Sequence, residues 1–458
     1  MPDKVHDVAV IGGGPAGMAA AWHLRDKDMV LLEAGEQLGG RLKSEPRGDY
    51  WINFGCHLFP GQGSHLHRMM SELQLELLPI PGLKTAIAFE GKVYLSPRVE
   101  SYAFRLPLSL SERVALARTG LKVVRAARGY HRAAKARHGE SEYMRRARAA
   151  KYLGDMSFRQ YLGQPPARVD SIFQCAGRRA ASELEEQSAG VGASLFASVW
   201  GGKKSFAILN ISGGSSMLPL GVAHELGNAV QYQADVTEVS PAADHVLIRY
   251  RTQGEERQLV ARQAIVATPA FVAKRIVRDL PADVDEVLAN VTYGPFVSMG
   301  IITTEREPMP WDGIYALTTP GLAFNMFFNH ANVLRRGERR PGGSLMVYAG
   351  GRSARELLTE TDSEIERRFR ADLYRLYPQL KQTIGEAIVQ RWEIGNTFRR
   401  PGMSFDAMLE YSSREGNRVH FAGDYFVELG NVEFAAGSGV EAAARARREL
   451  EARSPAQP

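Results

Sequence analysis

The sequence predicts an α/β protein in which a Rossmann-like domain is interleaved with an α+β domain. Three observations predict it: a glycine-rich turn set between a strand and a helix, a second strand that ends on a glutamate, and strand-like runs gathered in three separated stretches. Those stretches are His6 to Ile11 with Met29 to Leu32, then Ala234 to Thr268, and finally Arg418 to Ala422. Between them, about Leu78 to Phe206 reads as mostly helical, and about Val291 to Ile388 mixes apolar strand-like runs with a helix from Asp362 to Leu376. At ~150 residues per domain, 458 residues suit two or three domains. The expected division is 1–77, 206–290 and 389–451 for the nucleotide-binding domain, 78–205 and 291–388 for the second domain, and 452–458 as a frayed polar tail.

The first strand, His6 to Ile11, runs into Gly12-Gly13-Gly14-Pro15-Ala16-Gly17, and a helix opens there through about His23. Gly12 permits the tight turn, Gly14 lets the backbone approach a pyrophosphate, and Gly17 lets helix pack on strand. With Pro15 and Ala16 the turn sets a dianion at the positive helix N-terminus. The second strand, Met29 to Leu32, delivers Glu33 21 residues after Gly12, where a ribose hydroxyl would be held.

Composition excludes several classes. Apolar residues make up 44% and charged residues 24%, the balance of a globular protein with an enzyme-sized core. Cys56 and Cys175 form no CxxC, which leaves neither a disulfide framework nor a cysteine-rich zinc site. Only Met1 to Val5 precede the first strand, too little for a secretory signal. The longest nearly apolar run, Ala264 to Ala273, is broken by Thr268 and Pro269 and falls short of the ~20 residues that span a bilayer. A cytoplasmic location is expected. His65 and His67 have no evident third ligand and read as surface residues, so no metal is expected.

The net charge of +6 is too mild to call for nucleic acid, but its distribution is uneven. Arg105 to Lys151 holds thirteen Lys/Arg and three Glu. Within it Val114, Ala117, Leu121 and Val124 recur at helical spacing, while Arg118, Lys122, Arg125 and Arg132 fall largely on other faces. Two uses stay open: docking on an anionic membrane surface or acidic partner, or a solvated helix whose apolar stripe faces the protein's own core.

Directly after Glu33 comes Ala34-Gly35-Glu36-Gln37-Leu38-Gly39-Gly40-Arg41-Leu42-Lys43-Ser44. This run resembles the second flavin motif of the flavin-dependent amine oxidase superfamily, which includes monoamine and polyamine oxidases, protoporphyrinogen oxidase and phytoene-type desaturases. The resemblance implies an FAD-binding domain of the Rossmann-like type, with Ala34, Gly39 and Gly40 against the cofactor and Arg41 near its pyrophosphate. A guanidinium fork suits phosphate oxygens. Ser212 to Leu218 resembles the family's GG-x-x-x-L turn, and Ala234 to Val239 the strand whose Val236 backbone would meet the adenine. Phe421-Ala422-Gly423-Asp424 resembles the strand end where Asp424 would bind the ribityl chain. Val432 to Ala443 resembles the last flavin helix, with Glu433, Phe434 and Ala435 opening it towards the flavin pyrimidine. The family usually has glycine where Phe434 stands. Some members attach flavin through a cysteine near the last strand; none follows Cys175 here, so the resemblance implies non-covalent FAD.

Amine oxidation in this family uses a lysine on a substrate-domain strand and a pair of rings flanking the amine. Alignment of Val291 to Gly300 puts Ser298 at the lysine position, and Gly430 to Glu433 puts Asn431 at one ring position. Both departures weigh against an amine. The loop Asn53 to Phe59 resembles the segment passing close to the flavin, with Gly55 and His57 in a Gly-x-His found in desaturases. His57 is the candidate catalytic group beside Ser298, either shuttling a proton or simply hydrogen-bonded in the pocket.

Tyr102, Phe104, Phe158, Phe196, Trp200, Phe206, Phe324, Met326, Phe327 and Phe328 supply large side chains for a lipophilic cavity or for the core. The expected function is an FAD-dependent oxidoreductase moving a hydride from a substrate C–H to flavin N5. Its small-molecule substrate is expected to be lipophilic or polycyclic, its electron acceptor oxygen or a quinone. The alternatives are an amine or amino-acid oxidase with an atypical pocket, a redox-neutral flavin-dependent isomerase, and a flavoprotein carrier. Peripheral attachment at an inner membrane face goes with the basic segment.

Overall fold

A computed structural model describes residues 4–82, 84–140, 142–335, 340–427 and 429–452, except 201–207, with backbone alone at 142–143 and 198–200. Phe206, the Trp200 side chain and the tail from 453 lie outside the described residues.

The first sheet is built from strands far apart in the chain. Its parallel part runs Val230–Gln231, Met29–Leu32, Val5–Ile11, Glu255–Val266 and Val419–Phe421. Glu255–Val266 is long enough to serve two partners on one edge: its first half pairs antiparallel with Val246–Thr252, and Val419–Phe421 takes over at Ala264 to Val266. Alternation decides the layers. Val8 and Val10 point into a core with Met18, Leu31 and Ile265, while Ala9 and Ile11 point into the opposite one with Val30, Leu32 and Val266. Both faces are covered, as a parallel sheet requires.

The second sheet runs Ile384–Phe398, Thr292–Thr303, Gly343–Gly350, Met326–Asn329, Ala316–Thr318, Ala86–Phe89 and Lys92–Tyr94. The helix Asp362–Leu376 covers one face, burying Ile365, Phe369 and Leu373 among Val297, Met299, Phe324 and Phe327. The hairpin Ala86–Phe89 and Lys92–Tyr94 was not legible in an insert that reads as mostly helical. It is short, and it finds its place only by pairing Ala86 and Ile87 with Leu317 and Thr318.

The basic helix runs Leu110–Ala134, opened by a capping box between Ser109 and Glu112. Its buried residues are Thr119, Val123, Ala126, Ala127 and Tyr130. The reading that its Val114, Ala117, Leu121 stripe faces the protein's own core is therefore corrected. Ala126 and Ala127 share a cluster with Ala193 and Ala197 of the helix Ala189–Trp200, and alanines allow a close approach that larger side chains would prevent. Among the described residues, no helix is long and apolar enough to cross a membrane.

Candidate active site

The glycine turn lies at the C-terminal end of the parallel sheet. Gly12 adopts φ +96°, and its N–H donates to the Leu32 carbonyl at 2.8 Å, so the turn is tied to the neighbouring strand. The helix Pro15–His23 starts with proline at its first position, where no N–H is missed. A Cβ at Gly14 would meet nothing within 4 Å, so the helix N-terminus faces open space. Glu33 stands across the turn: its carboxylate accepts from Gly13 N at 2.6 Å and from Gly35 N at 2.7 Å. Ala34 is exposed beside it. Ala234 N donates to the Glu33 carbonyl at 2.9 Å, which sets the start of the Val236 strand next to this carboxylate.

The second glycine run closes on the first, with Gly39 N donating to the Gly13 carbonyl at 2.9 Å and Gly40 following it, exposed. Arg41 lies beyond. Its guanidinium pairs with the buried Asp424 carboxylate at 2.7 Å and donates to the Gly395 carbonyl at 3.1 Å. Gly423, just before Asp424, donates its N–H to Ser438 Oγ at 2.8 Å and so is fastened to the C-terminal helix Val432–Ala452. That helix is capped by Asn431, whose Oδ1 accepts from Phe434 N at 3.0 Å. The Glu433 carboxylate accepts from His65 N and Leu66 N at 2.8 and 3.1 Å, capping a different helix, His65–Glu72. Only the backbone of Glu433 is then left for a ligand: the Val432 and Glu433 N–H groups find no acceptor among the described residues. Ala435 is buried behind them.

The loop Asn53 to Phe59 joins this turn to the second sheet. Cys56 N, next to Gly55, donates to the Arg41 carbonyl at 3.2 Å. The Phe54 carbonyl accepts from Ser298 Oγ at 2.7 Å and from Trp392 Nε1 at 2.9 Å. Gln390, the register partner of Ser298, accepts from Lys43 Nζ at 2.8 Å.

His57 is buried in a ring cluster, its centroid 4.7 Å from Phe328, 4.5 Å from His330 and 6.5 Å from Tyr315. Hydrogen bonds fix both tautomers. His57 Nδ1 faces the Gly55 carbonyl at 3.1 Å and must donate, so its Nε2 is a bare acceptor. Asn53 offers Nδ2 to His330 Nδ1 at 3.3 Å while its Oδ1 accepts from Ser215 N, so His330 Nε2 carries a hydrogen. Neither Nε2 has a partner among the described residues. Burial pushes His57 down to about 4 and His330 well below its usual value.

Of the aromatic residues read as cavity candidates, Phe158, Phe324 and Phe327 are fully buried core and Phe104 is solvent-exposed; among the described residues, Phe328 is the candidate whose ring meets His57. His330, Tyr315 and Trp392 carry no local sequence signal, since their role comes from packing across elements. His65 and His67 lie at the start of the helix His65–Glu72, and no group of three His, Cys, Asp or Glu among the described residues is placed for a metal.

The buried histidines make stability pH-dependent. A group neutral in the fold but titrating near 6.5 when unfolded contributes fully above that pH, and the contribution is lost as pH falls towards the folded value. His57, at about 4, and His420, at about 3, act in the same direction. For His57 alone the full loss amounts to about 3 kcal/mol. The unfolding midpoint is expected to drop between pH 6.5 and 4.5, and less steeply in His57→Gln. A midpoint that stays level over this range would mean that the two rings are not neutral in the fold.

The family profile described as flavin containing amine oxidoreductase matches residues 15–447. The whole chain superposes on cyclohexylamine oxidase from Brevibacterium oxydans IH-35A with a TM-score of 0.76 and 20% identity, covering 98% of this chain and 100% of that one. A putrescine oxidase bound to putrescine gives a TM-score of 0.74 and 18% identity, covering 98% of this chain and 100% of that one. Among curated proteins, ferredoxin–NADP reductase of Limosilactobacillus reuteri (strain DSM 20016) is 37% identical over 83 residues, 18% of this chain. The match spans only 24% of that relative's length.

Proposed function

This chain belongs to the flavin containing amine oxidoreductase family, and from that premise we propose that it is an FAD-dependent oxidoreductase acting on a neutral, lipophilic small molecule. The residues fit the cofactor. The turn Gly12, Gly14, Pro15, Ala16 and Gly17, with Gly39 and Gly40 packed against it, would hold a pyrophosphate at the helix N-terminus, where Gly14 leaves open space, and Glu33 would offer carboxylate oxygens to a ribose. Val236 would back the adenine, Arg41 and Asp424, paired with each other, would flank the phosphate and ribityl chain, and the Val432 and Glu433 N–H groups, without an acceptor among the described residues, would donate to a ring carbonyl. FAD, when bound, accepts the electron pair and hydrogen from a substrate C–H and is reoxidised by oxygen or a quinone. It is held without a covalent link. In the proposed division, segments 1–77, 206–290 and 399–451 hold the cofactor, and 78–205 with 291–398 hold the substrate; the expected boundary at 389 is corrected because Ile384–Phe398 is one strand paired with Thr292–Thr303.

The observation that carries the substrate reading is the neutral ring cluster at the loop between the two sheets. His57 presents an acceptor and His330 a donor, both desolvated and unpartnered, so the pair suits one uncharged hydroxyl or carbonyl on a largely apolar molecule. Among the described residues, no charged side chain acts on His57 to hold it as a cation. His57 then orients the substrate by accepting a hydrogen bond at Nε2. Ser298 positions, through the Phe54 carbonyl, the loop that carries His57.

An amine substrate is the second reading, supported by the amine oxidases among the structural relatives. Against it stand Ser298, engaged with Phe54, and Asn431, engaged as a helix cap. Anaerobic bleaching of the flavin absorbance separates the two, using amines, amino acids, tetrapyrroles and polyene precursors. Bleaching by lipophilic compounds only is the expected result, with a lower rate in His57→Ala. Bleaching by an amine would move the chain to the second reading.

A further inference from the structure

We propose that the outer ridge of the helix Leu110–Ala134 docks this protein on an anionic phospholipid surface. At 100° per residue, Leu110, Val114, Ala117 and Leu121 fall within an arc of about 60°, and Arg125, Arg128 and Arg132 continue the same ridge or stand just beside it. The apolar part faces water: Leu110 is 80% exposed, Val114 42% and Leu121 51%. Phe104 joins it at the leading end with 79% exposure. Its turn is fastened to the helix by Arg113, whose guanidinium donates to the carbonyls of Ala103, Phe104, Leu106 and Leu108.

The fold itself gives no reason for this ridge. The opposite face already anchors the helix through Val123, Ala126, Ala127 and Tyr130. Leucine and phenylalanine left in water at adjoining positions mark a surface meant for contact. Charge narrows the contact to one chemistry. Arg118, Arg125, Arg128 and Arg132 are exposed, and among the described residues none forms an ion pair with a carboxylate. Glu112, the one acidic residue of the helix, is turned inward to Ser109 and Arg168. Apolar side chains that lead and arginines that follow along one convex ridge fit a lipid interface, where the first enter the acyl boundary and the second meet headgroup phosphates. A folded acidic partner would instead need a complementary concave surface.

Flotation of the FAD-loaded full chain with vesicles tests this, comparing phosphatidylcholine alone with phosphatidylcholine mixed with phosphatidylglycerol. The expected result is recovery with the anionic vesicles only, weakened by salt. Arg118→Gln with Arg125→Gln should lower the partition roughly fivefold per arginine. Leu110→Ser with Leu121→Ser should lower it by at least about tenfold. All four positions are exposed, so an unchanged unfolding midpoint accompanies both variants. The proposal is overturned if the protein stays off anionic vesicles, if it binds both kinds equally, or if both variants bind as the parent does. Turnover is not read, so the substrate reading stands or falls separately.

Discussion

Gly17→Ala is expected to yield protein that retains no flavin and unfolds at a lower temperature than the parent. A Cβ at position 17 would stand 1.8 Å from the Gly12 carbonyl oxygen, far inside contact distance, and that oxygen is backbone. It has no easy retreat. Gly12 N is held by Leu32 O at 2.8 Å, and Ala267 N by Ile11 O at 2.8 Å, so strand, turn and neighbouring strand form one braced unit. The helix Pro15–His23 must lift off the sheet, and overpacking of this kind costs about 1–3 kcal/mol or more. Gly14→Ala makes the matching control. Its Cβ would enter open space, so the apoprotein should keep its unfolding midpoint and lose only the cofactor. Flavin-to-protein absorbance ratios and thermal unfolding with and without added FAD read both variants. Full flavin in Gly17→Ala would remove the pyrophosphate assignment.

The same contrast explains what was legible in the sequence. A turn whose glycines each answer a backbone distance must be written locally, and the helix after it follows from Pro15 and the alanines behind it. The helix Asp362–Leu376 was equally legible, because Ile365, Phe369 and Leu373 repeat at helical spacing on one face. The contacts that assemble the site beside the glycine turn were not, although His57 and Glu433 themselves were named from their motifs. His330 reaches His57 from 273 positions away, and Glu433 caps a helix whose first residue is His65. Such pairings depend on how two sheets meet at the loop around Phe54, and no spacing encodes that. For the basic helix, the reading that turned its apolar stripe to the core failed for another reason. Apolar periodicity identified its leucine and valine stripe, but burial went to the alanine side, where close packing against Ala193 and Ala197 needs small residues. Hydrophobicity ranks the wrong face when the partner helix comes very near.

Arg41→Ala carries the other large expected effect, because the residue stands in two arrangements at once. In the protein itself it neutralises Asp424, a buried carboxylate, and removing one member of a buried pair typically costs about 3–5 kcal/mol. Arg41 is a third exposed, so solvent takes up part of the orphaned charge and the lower end applies. In the proposed complex it also faces phosphate. The two roles separate in a cycle. Adding Asp424→Asn to Arg41→Ala removes the unpaired carboxylate and should recover much of the apoprotein's midpoint, yet it cannot restore a phosphate contact. The stabilisation on adding FAD, about 3 kcal/mol for a ligand at a hundred times its Kd and read as a rise in midpoint, should therefore be present in the parent and small in both variants. Arg41→Lys keeps the charge and loses the fork, so it should fall between them. Equal FAD-induced stabilisation in parent and Arg41→Ala would leave the arginine as a partner of Asp424 alone, with the pyrophosphate held by backbone N–H groups and the helix N-terminus.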